Sequence, residues 1–399
     1  MNVLEKMQAE NAKEHIQRFM DNQKIPYPQK KYHALSRVID FYRKCDQEGY
    51  NYHVSVGGLD SIVLYLFINY SPMFNAYRNY IPCGSVPGIS ASYLEDPSII
   101  RVHKALGIEC VKPMTYKDEN GEKKMYTKTS VIEQFGFPVL SKEIATKIET
   151  LQHPTDKNKT VRHAIITGET GAYGGYQKNS RMKIAKKWLE LFGGYENETE
   201  GTNYGTPDFQ VSAKCCYYLK EQPCDKWAKE HHSVPFLGLM ASEGGRREKA
   251  LKMHGCNYWG KTSIRSCPFA IFNRQDLLKL ALEMDDLYKS EIKEQLYKDG
   301  IKSGRLKPNF EMPGSIIPSV YGEIVKEDNG ELKTTKAQRT GCSMCGFGIH
   351  LEKRPHRFDL LRERNQKQWD NLMYHLVQDD NGDWFGWAKV LDYIGVDYL

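Results

Sequence analysis

HVSVGGLDSIVLYL, residues 53–66, passes from a short strand-like run through a glycine pair into a longer apolar run. The first run, NYHVSV over 51–56, has the length of a strand; the second, DSIVLYLFINY over 60–70, is long enough for a helix. Between them Gly57 and Gly58 let the backbone approach a phosphate closely with N–H groups turned inward. The helix that follows aims the positive end of its dipole at the same place. Asp60 and Ser61 fall at the helix start, where they can cap it or bind a phosphate oxygen, a metal-bound water or a ribose. A tight strand-to-helix turn with an Asp/Ser cap is the plainer use of the same string.

Flanking segments repeat the alternation. Helices are expected over 1–25 and 31–47, the latter stopped by Gly49. A second strand is expected in RNYIPCGSV (78–86), a helix over 92–107, and a third strand in IECVKPM (108–114). RHAIITGE (162–169) and HSVPFLGLMA (232–241) read as further strands, Lys178–Leu191 as a basic amphipathic helix, and 274–298 as a helical stretch. Residues 300–340 are loop-rich and the segment from Arg354 to Val377 is helical again. Strands and helices alternating in this rhythm predict a parallel, doubly wound α/β sheet.

The chain has 399 residues, 40% hydrophobic and 27% charged, with a formal net charge of +6. This composition is that of a globular protein, and the mild basic excess suits a polyanionic ligand. No apolar run reaches membrane-spanning length and the amino-terminal residues lack a secretory h-region, so a cytoplasmic location without membrane contact is expected.

In a reducing compartment the 10 cysteines point to metal ligands or catalytic thiols rather than disulfides. Cys45, Cys83 and Cys110 stand singly and read as small hydrophobes. Adjacent Cys215 and Cys216, with the distant CxxC of Cys342 and Cys345, make four thiols, the number a [4Fe–4S] cluster needs. Zinc accepts four thiolates too, although neighbouring side chains diverge and chelate it poorly; a redox-active CxxC and unligated thiols are the other readings. TGETGAYGGYQKNSRMKIAKK, with Gly168, Gly171, Gly174 and Gly175 ahead of Lys178, Arg181 and Lys183, is either a loop over phosphates or a surface loop leading into a basic helix. His350, His356 and Arg357 are candidates for hydrogen bonds around the cysteines or for helix caps, and His231–His232 reads as a surface turn.

The glycine turn resembles the SGGxDS signature of the PP-loop (N-type ATP pyrophosphatase) families: Gly57, Gly58, Asp60 and Ser61 match, Val56 stands where the signature has serine, and Ser55 lies one residue early. The CC…CxxC arrangement resembles the cluster pattern of adenylyl-sulfate reductases in the PAPS reductase family. GLMASEGGRREKAL (238–251) resembles that family's anion-contacting segment, with Arg246 and Arg247 as candidates. CPFAIFNRQDLL (267–278) resembles its PL-x-x-W-T-x-x-D-V block, with Phe272 and Asn273 replacing Trp-Thr, and IPSVYGEI (317–324) followed by RTGCSMCGFGIHLEKRPHRF (339–358) resembles the segment around its CxxC. The blocks occur in order from residue 50 to about 365. About 35 residues between 300 and 335 look inserted. No cysteine follows Cys345, whereas the sulfate-activating reductases carry a catalytic one near the carboxyl terminus; Cys267 is the best substitute, with Cys224 and Cys256 behind it.

The resemblance implies a Rossmann-like, five-stranded doubly wound parallel sheet of the adenine nucleotide alpha hydrolase type, with helical amino- and carboxyl-terminal extensions. The expected division is a helical cap over 1–48, a nucleotide-binding domain over 49–290, and an extension over 291–399 folding back so that the CxxC meets Cys215 and Cys216. Ser55, Gly57, Gly58, Asp60, Ser61, Ser85, Gly168, Arg246 and Arg247 would bind an adenine nucleotide: ATP, adenylyl sulfate or its 3′-phosphorylated form, with Mg2+ where ATP is used. Asp60, Ser61 and Cys267 are the catalytic candidates; Cys215, Cys216, Cys342 and Cys345 would hold the [4Fe–4S] cluster. Two enzyme readings follow: a reductase or sulfurtransferase acting on activated sulfate with a redox or sulfur-donor protein, or a PP-loop enzyme that adenylates DNA or tRNA for sulfur insertion. A non-catalytic nucleotide sensor is the third.

Overall fold

A computed structural model describes residues 3–170, 180–342, 345–379 and 381–398. The residues group into two compact units, one of Met1–Lys112 with Pro223–Gly341, the other of Pro113–Gln222 with Cys342–Leu399. Each has its own core of buried apolar side chains. This division differs from the boundaries expected after residues 48 and 290. The helix Tyr27–Glu48 buries Val38, Phe41 and Cys45 in the same core as the central sheet, so it is not a separate cap.

The first unit is mixed α/β around a six-stranded sheet. Its strands are β1 (Asn51–Ser55), β2 (Gly88–Ser90), β3 (Glu109–Cys110), β4 (Ser233–Leu237), β5 (Asn257–Trp259) and β6 (Ile264–Ser266). The order is β3-β2-β1-β4-β6-β5, parallel throughout except for the β5–β6 hairpin. The expected parallel sheet is present, with five parallel strands and an antiparallel sixth, β5, although its parallel members are not all the segments expected: β6 (Ile264–Ser266) takes the place of residues 162–169. Helices α1 (Val3–Asn22), α2 (Tyr27–Glu48), α3 (Leu59–Tyr70), α4 (Pro97–Leu106), α5 (Gly245–His254) and α6 (Arg274–Leu287) complete the frame. Gly49 ends α2 at φ +74°; its N–H donates to the Asp46 carbonyl and the Tyr50 N–H to the Cys45 carbonyl, as a left-handed cap requires. Phe41 of α2 meets Phe236 of β4 edge to face at 5.0 Å. Helix α3 is apolar all round and buried from Ser61 to Asn69, which is how a helix reads when no side faces water.

Three local expectations are corrected. The second strand is Gly88–Ser90 alone; residues 78–86 are held in loop form, Arg78 donating to the carbonyls of Ile68, Ser71 and Ile81, and the Asn69 side chain bridging the Val86 peptide. Residues 162–169 are not a strand: the apolar Ala164–Ile166 lies inside the helix Lys159–Thr167, which Gly168 closes at φ +81°. The basic helix starts late, at Lys186, and runs to Phe192; Gly171, Gly174, Gly175 and Lys178 lie outside the described residues.

The second unit is mainly helical with small strand pairs. Val139–Leu140 runs parallel to Gly346–Phe347, and Phe137 bridges in parallel to Val211. One short segment, 137–140, thus gathers two distant stretches of chain. Among the described residues no helix is long and apolar enough to cross a membrane.

Candidate nucleotide turn and thiol cluster

The Gly57–Ser61 turn leaves the carboxyl end of β1. β2 and β3 extend the sheet on one side of β1 and β4 on the other, so the turn stands at the topological switch point, where open α/β sheets bind ligands. The loop after β4 closes on the same helix start: a Cβ added to Gly238 would lie 3.0 Å from the Asp60 carbonyl carbon and the Ser61 amide nitrogen. A side chain at 238 would press on the start of α3, which has to give by a few tenths of an ångström to admit it.

The turn is braced from within and from outside. Ser61 Oγ accepts from the Gly57 amide at 2.8 Å and donates to the Gly58 carbonyl at 3.0 Å. His103 Nε2 donates to the Gly57 carbonyl at 2.8 Å, and Ser92 Oγ sits 2.9 Å from His103 Nδ1; because a carbonyl only accepts, Nε2 carries the proton. The Leu59 amide donates to the Tyr321 hydroxyl at 3.1 Å, itself 2.6 Å from Thr340 Oγ1. Tyr321 fits there because residue 58 has no side chain: a Cβ on Gly58 would be 2.5 Å from that hydroxyl. Val56 is buried in the core, and Ser55 Oγ turns to His53 Nε2 at 3.4 Å.

Charge around the turn is mixed. Burial pushes the Asp60 carboxyl above its ordinary range, and the neighbouring Glu243 pushes it further, with Arg247 opposing. Arg247 Nη1 donates to Glu243 Oε2 at 2.7 Å. Arg274, first residue of α6, has its guanidinium pulled below its ordinary value by burial, with Tyr321, Asp60, Arg339 and Glu243 within electrostatic reach. Its Nη2 is buried without a hydrogen-bond partner. Arg246 lies in α5.

The remaining expected residues fall elsewhere. Ser85 is exposed and precedes β2, at the opposite strand end from the turn, since β1 and β2 are parallel. Gly168 is a helix terminator in the second unit. Cys267 is buried, its amide donating to the Cys256 carbonyl at 2.7 Å, and burial pushes its thiol up to about 12. A thiol so placed stays protonated at neutral pH, the state that packs rather than attacks.

In the second unit the 137–140 segment decides where the cysteines lie. Cys215 and Cys216 follow Val211 closely and Cys345 immediately precedes Gly346, so both partners of that segment bring thiols with them. Cys342 and Cys345 stand within electrostatic reach of Cys215 and Cys216. Burial raises the Cys215 thiol, and the other three sulfurs raise it further against Lys128. Cys216 is pushed up to about 11, again by burial first, with Lys142 opposing. Lys142 hydrogen-bonds Cys216 and pairs with Glu221, while Arg357 Nη1 donates to the Cys345 carbonyl at 2.9 Å. Leu140 adopts φ +65°, a left-handed conformation that non-glycine residues keep only where the surroundings impose it. Cys216 runs straight into the π-turn Tyr217–Glu221, a feature frequent at functional sites. Among the described residues no three His, Cys, Asp or Glu side chains are drawn into an ion-binding group; the four sulfurs lie within electrostatic reach of one another.

Comparison with protein-family models, curated proteins and solved structures returned no match. His103, Gly238, Arg274 and Tyr321 are not singled out by the sequence; the blocks at 238–251, 267–278 and 317–324, which contain the last three, are the signal that could have flagged them.

Proposed function

We propose that this chain is an adenine-nucleotide-binding, sulfur-handling enzyme of the PAPS reductase type, with a Rossmann-like first unit. The observation that carries this reading is the Gly57–Ser61 turn at the sheet's switch point, followed by α3 with Asp60 and Ser61 in its first turn. In this reading the turn's amides and the α3 amino end hold the phosphates of ATP or the phosphosulfate of an activated sulfate. His103 and Ser61 keep the Gly57 peptide oriented, and Gly238 lets the β4 loop wall off the site. Asp60 and Glu243 are suited to an Mg2+ that keeps phosphate and water as its other ligands.

Cys215, Cys216, Cys342 and Cys345 would hold a [4Fe–4S] cluster, in keeping with a set of four clustered sulfurs attended by Lys128, Lys142 and Arg357. When bound, such a cluster supplies electron storage and a strong local charge. Lys142 and Arg357 then offset the charge of the thiolates and fix the CxxC peptide.

The second reading, a PP-loop enzyme that adenylates DNA or tRNA for sulfur insertion, is favoured by the Asp60–Glu243 pair, which fits magnesium-bound ATP, and by the burial of Cys267. Iron and acid-labile sulfide measured after anaerobic purification test the cluster. About four of each per chain, lost in Cys345→Ser, is the expected result; zinc, or no metal, overturns it. Sulfite release then marks the reductase, pyrophosphate release the adenylating enzyme, and tight binding without turnover a sensor.

A further inference from the structure

The glycine turn is short of groups for an oxyanion. Val56 points into the core instead of offering a hydroxyl, and Ser61 Oγ is spent on the turn's own peptides. The groups that stand ready come from elsewhere in the first unit. The Tyr321 hydroxyl occupies the acceptor position on the Leu59 amide, where a phosphate oxygen would dock. Thr340 Oγ1 holds it from behind at 2.6 Å. Arg274 lies within electrostatic reach of both Tyr321 and Asp60, with Nη2 buried and unpartnered. A buried guanidinium nitrogen with no acceptor is costly to keep, and an oxyanion is the acceptor its fork geometry suits.

We propose that Tyr321, braced by Thr340, and Arg274 supply the hydroxyl and the cation that the glycine turn lacks, and so bind the tetrahedral oxyanion beyond the nucleotide's α-phosphate. This rests on the nucleotide-binding reading above. The oxyanion is the β/γ-phosphate of ATP or the sulfate of adenylyl sulfate; both present the same tetrahedral oxygens. On docking, the Tyr321 hydroxyl gives up its place on the Leu59 amide and donates to the ligand instead, while Arg274 Nη2 gains its acceptor.

The test is titration calorimetry of the full chain with ATP, adenylyl sulfate and AMP, on the wild type and on Tyr321→Phe, Arg274→Gln and Arg274→Lys. Loss of a hydrogen bond to a charged group weakens binding by about ten-fold or more. That loss is expected for Arg274→Gln and a smaller one for Tyr321→Phe, with partial recovery in Arg274→Lys. AMP, which lacks the outer oxyanion, is expected to stay within about two-fold, the level below which a difference is not read as a contact. Whichever of ATP or adenylyl sulfate carries the loss identifies the source of the oxyanion. If the wild type binds ATP or adenylyl sulfate and the variants match it, this inference falls while the nucleotide reading stands. Equal losses for AMP and the larger ligand indicate a structural role and also overturn it. If the wild type binds none of the three, the nucleotide reading fails and this inference with it.

Discussion

Leu59 and Tyr321 lie 262 positions apart in the chain, yet the Leu59 amide donates to the Tyr321 hydroxyl at 3.1 Å. The contact exists because Gly58 leaves the space open, its missing Cβ position being 2.5 Å from that hydroxyl. Gly58→Ala should therefore overpack the turn and cost about 1–3 kcal/mol. In Gly58→Ala/Tyr321→Phe the clashing oxygen is gone, and part of that cost should return. Denaturant melts of the four proteins in the cycle check this; an identical cost of the alanine in both backgrounds would show that the hydroxyl is not what fills the space.

Asp60 should make stability depend on pH in an identifiable direction. Its carboxyl is raised above 3.8, chiefly by burial, so the folded state holds that proton more tightly than the unfolded chain does. The associated stability is fully present below 3.8 and is lost as pH rises through the folded value. Asp60→Asn should thus melt higher than the wild type at pH 7, with the gain vanishing below about pH 4. If Asp60 serves the nucleotide site, the same variant should bind ATP more weakly, the usual exchange between stability and function. A variant that melts lower at pH 7 would contradict the assigned direction.

The buried ion pair between α2 and α6 offers a sharper stability test. Lys30 Nζ lies 2.7 Å from Asp276 Oδ2, and both side chains are under a tenth exposed, at 4% and 8%. The same Asp276 oxygen accepts from the Asn273 amide that caps α6. Lys30→Met leaves a buried carboxylate unpaired and should cost about 3–5 kcal/mol. Lys30→Met/Asp276→Asn keeps a cap acceptor without the charge and should cost less than Lys30→Met alone. Urea denaturation of both variants decides it.

At the thiols, Gly346 is the residue to change without touching a sulfur. A Cβ there would fall 2.4 Å from the Trp387 ring and 2.9 Å from the Pro138 carbonyl oxygen. Gly346→Ala should push the CxxC strand away from Val139–Leu140, lowering stability by about 1–3 kcal/mol and reducing iron and sulfide content. Full iron content in a destabilised variant would show that strand pairing does not place Cys345.

The sequence announced β1, the glycine turn and α3 clearly, because each is built from neighbours: a short strand-length run, two glycines and an apolar helix-length run. It also marked the four cysteines that share a neighbourhood. It failed where structure depends on distant partners. Residues 78–86 look like a strand, but Arg78 and Asn69 claim their backbone groups. Ala164–Ile166 has strand composition, yet a helix surrounds it. The two-residue strands beside Cys345, Val139–Leu140 and Gly346–Phe347, are too short to show a period. Tyr321 and Arg274 lie inside the IPSVYGEI and CPFAIFNRQDLL blocks, but neither block marks them individually, since what matters about them is where the chain returns.

That returning chain has a consequence for synthesis. Asn51 Nδ2 donates to the His231 carbonyl across 180 positions, and β1 pairs with β4 along its whole length. At about 5–20 residues per second, β1 leaves the ribosome many seconds before the strand that covers one of its edges. The intervening residues 113–222 cannot close their own unit in the meantime, because its remaining part begins only at Cys342. Between the emergence of residue 113 and that of β4 the chain therefore carries two half-built cores and a strand with one uncovered edge, which predisposes it to lean on chaperones while it is being made.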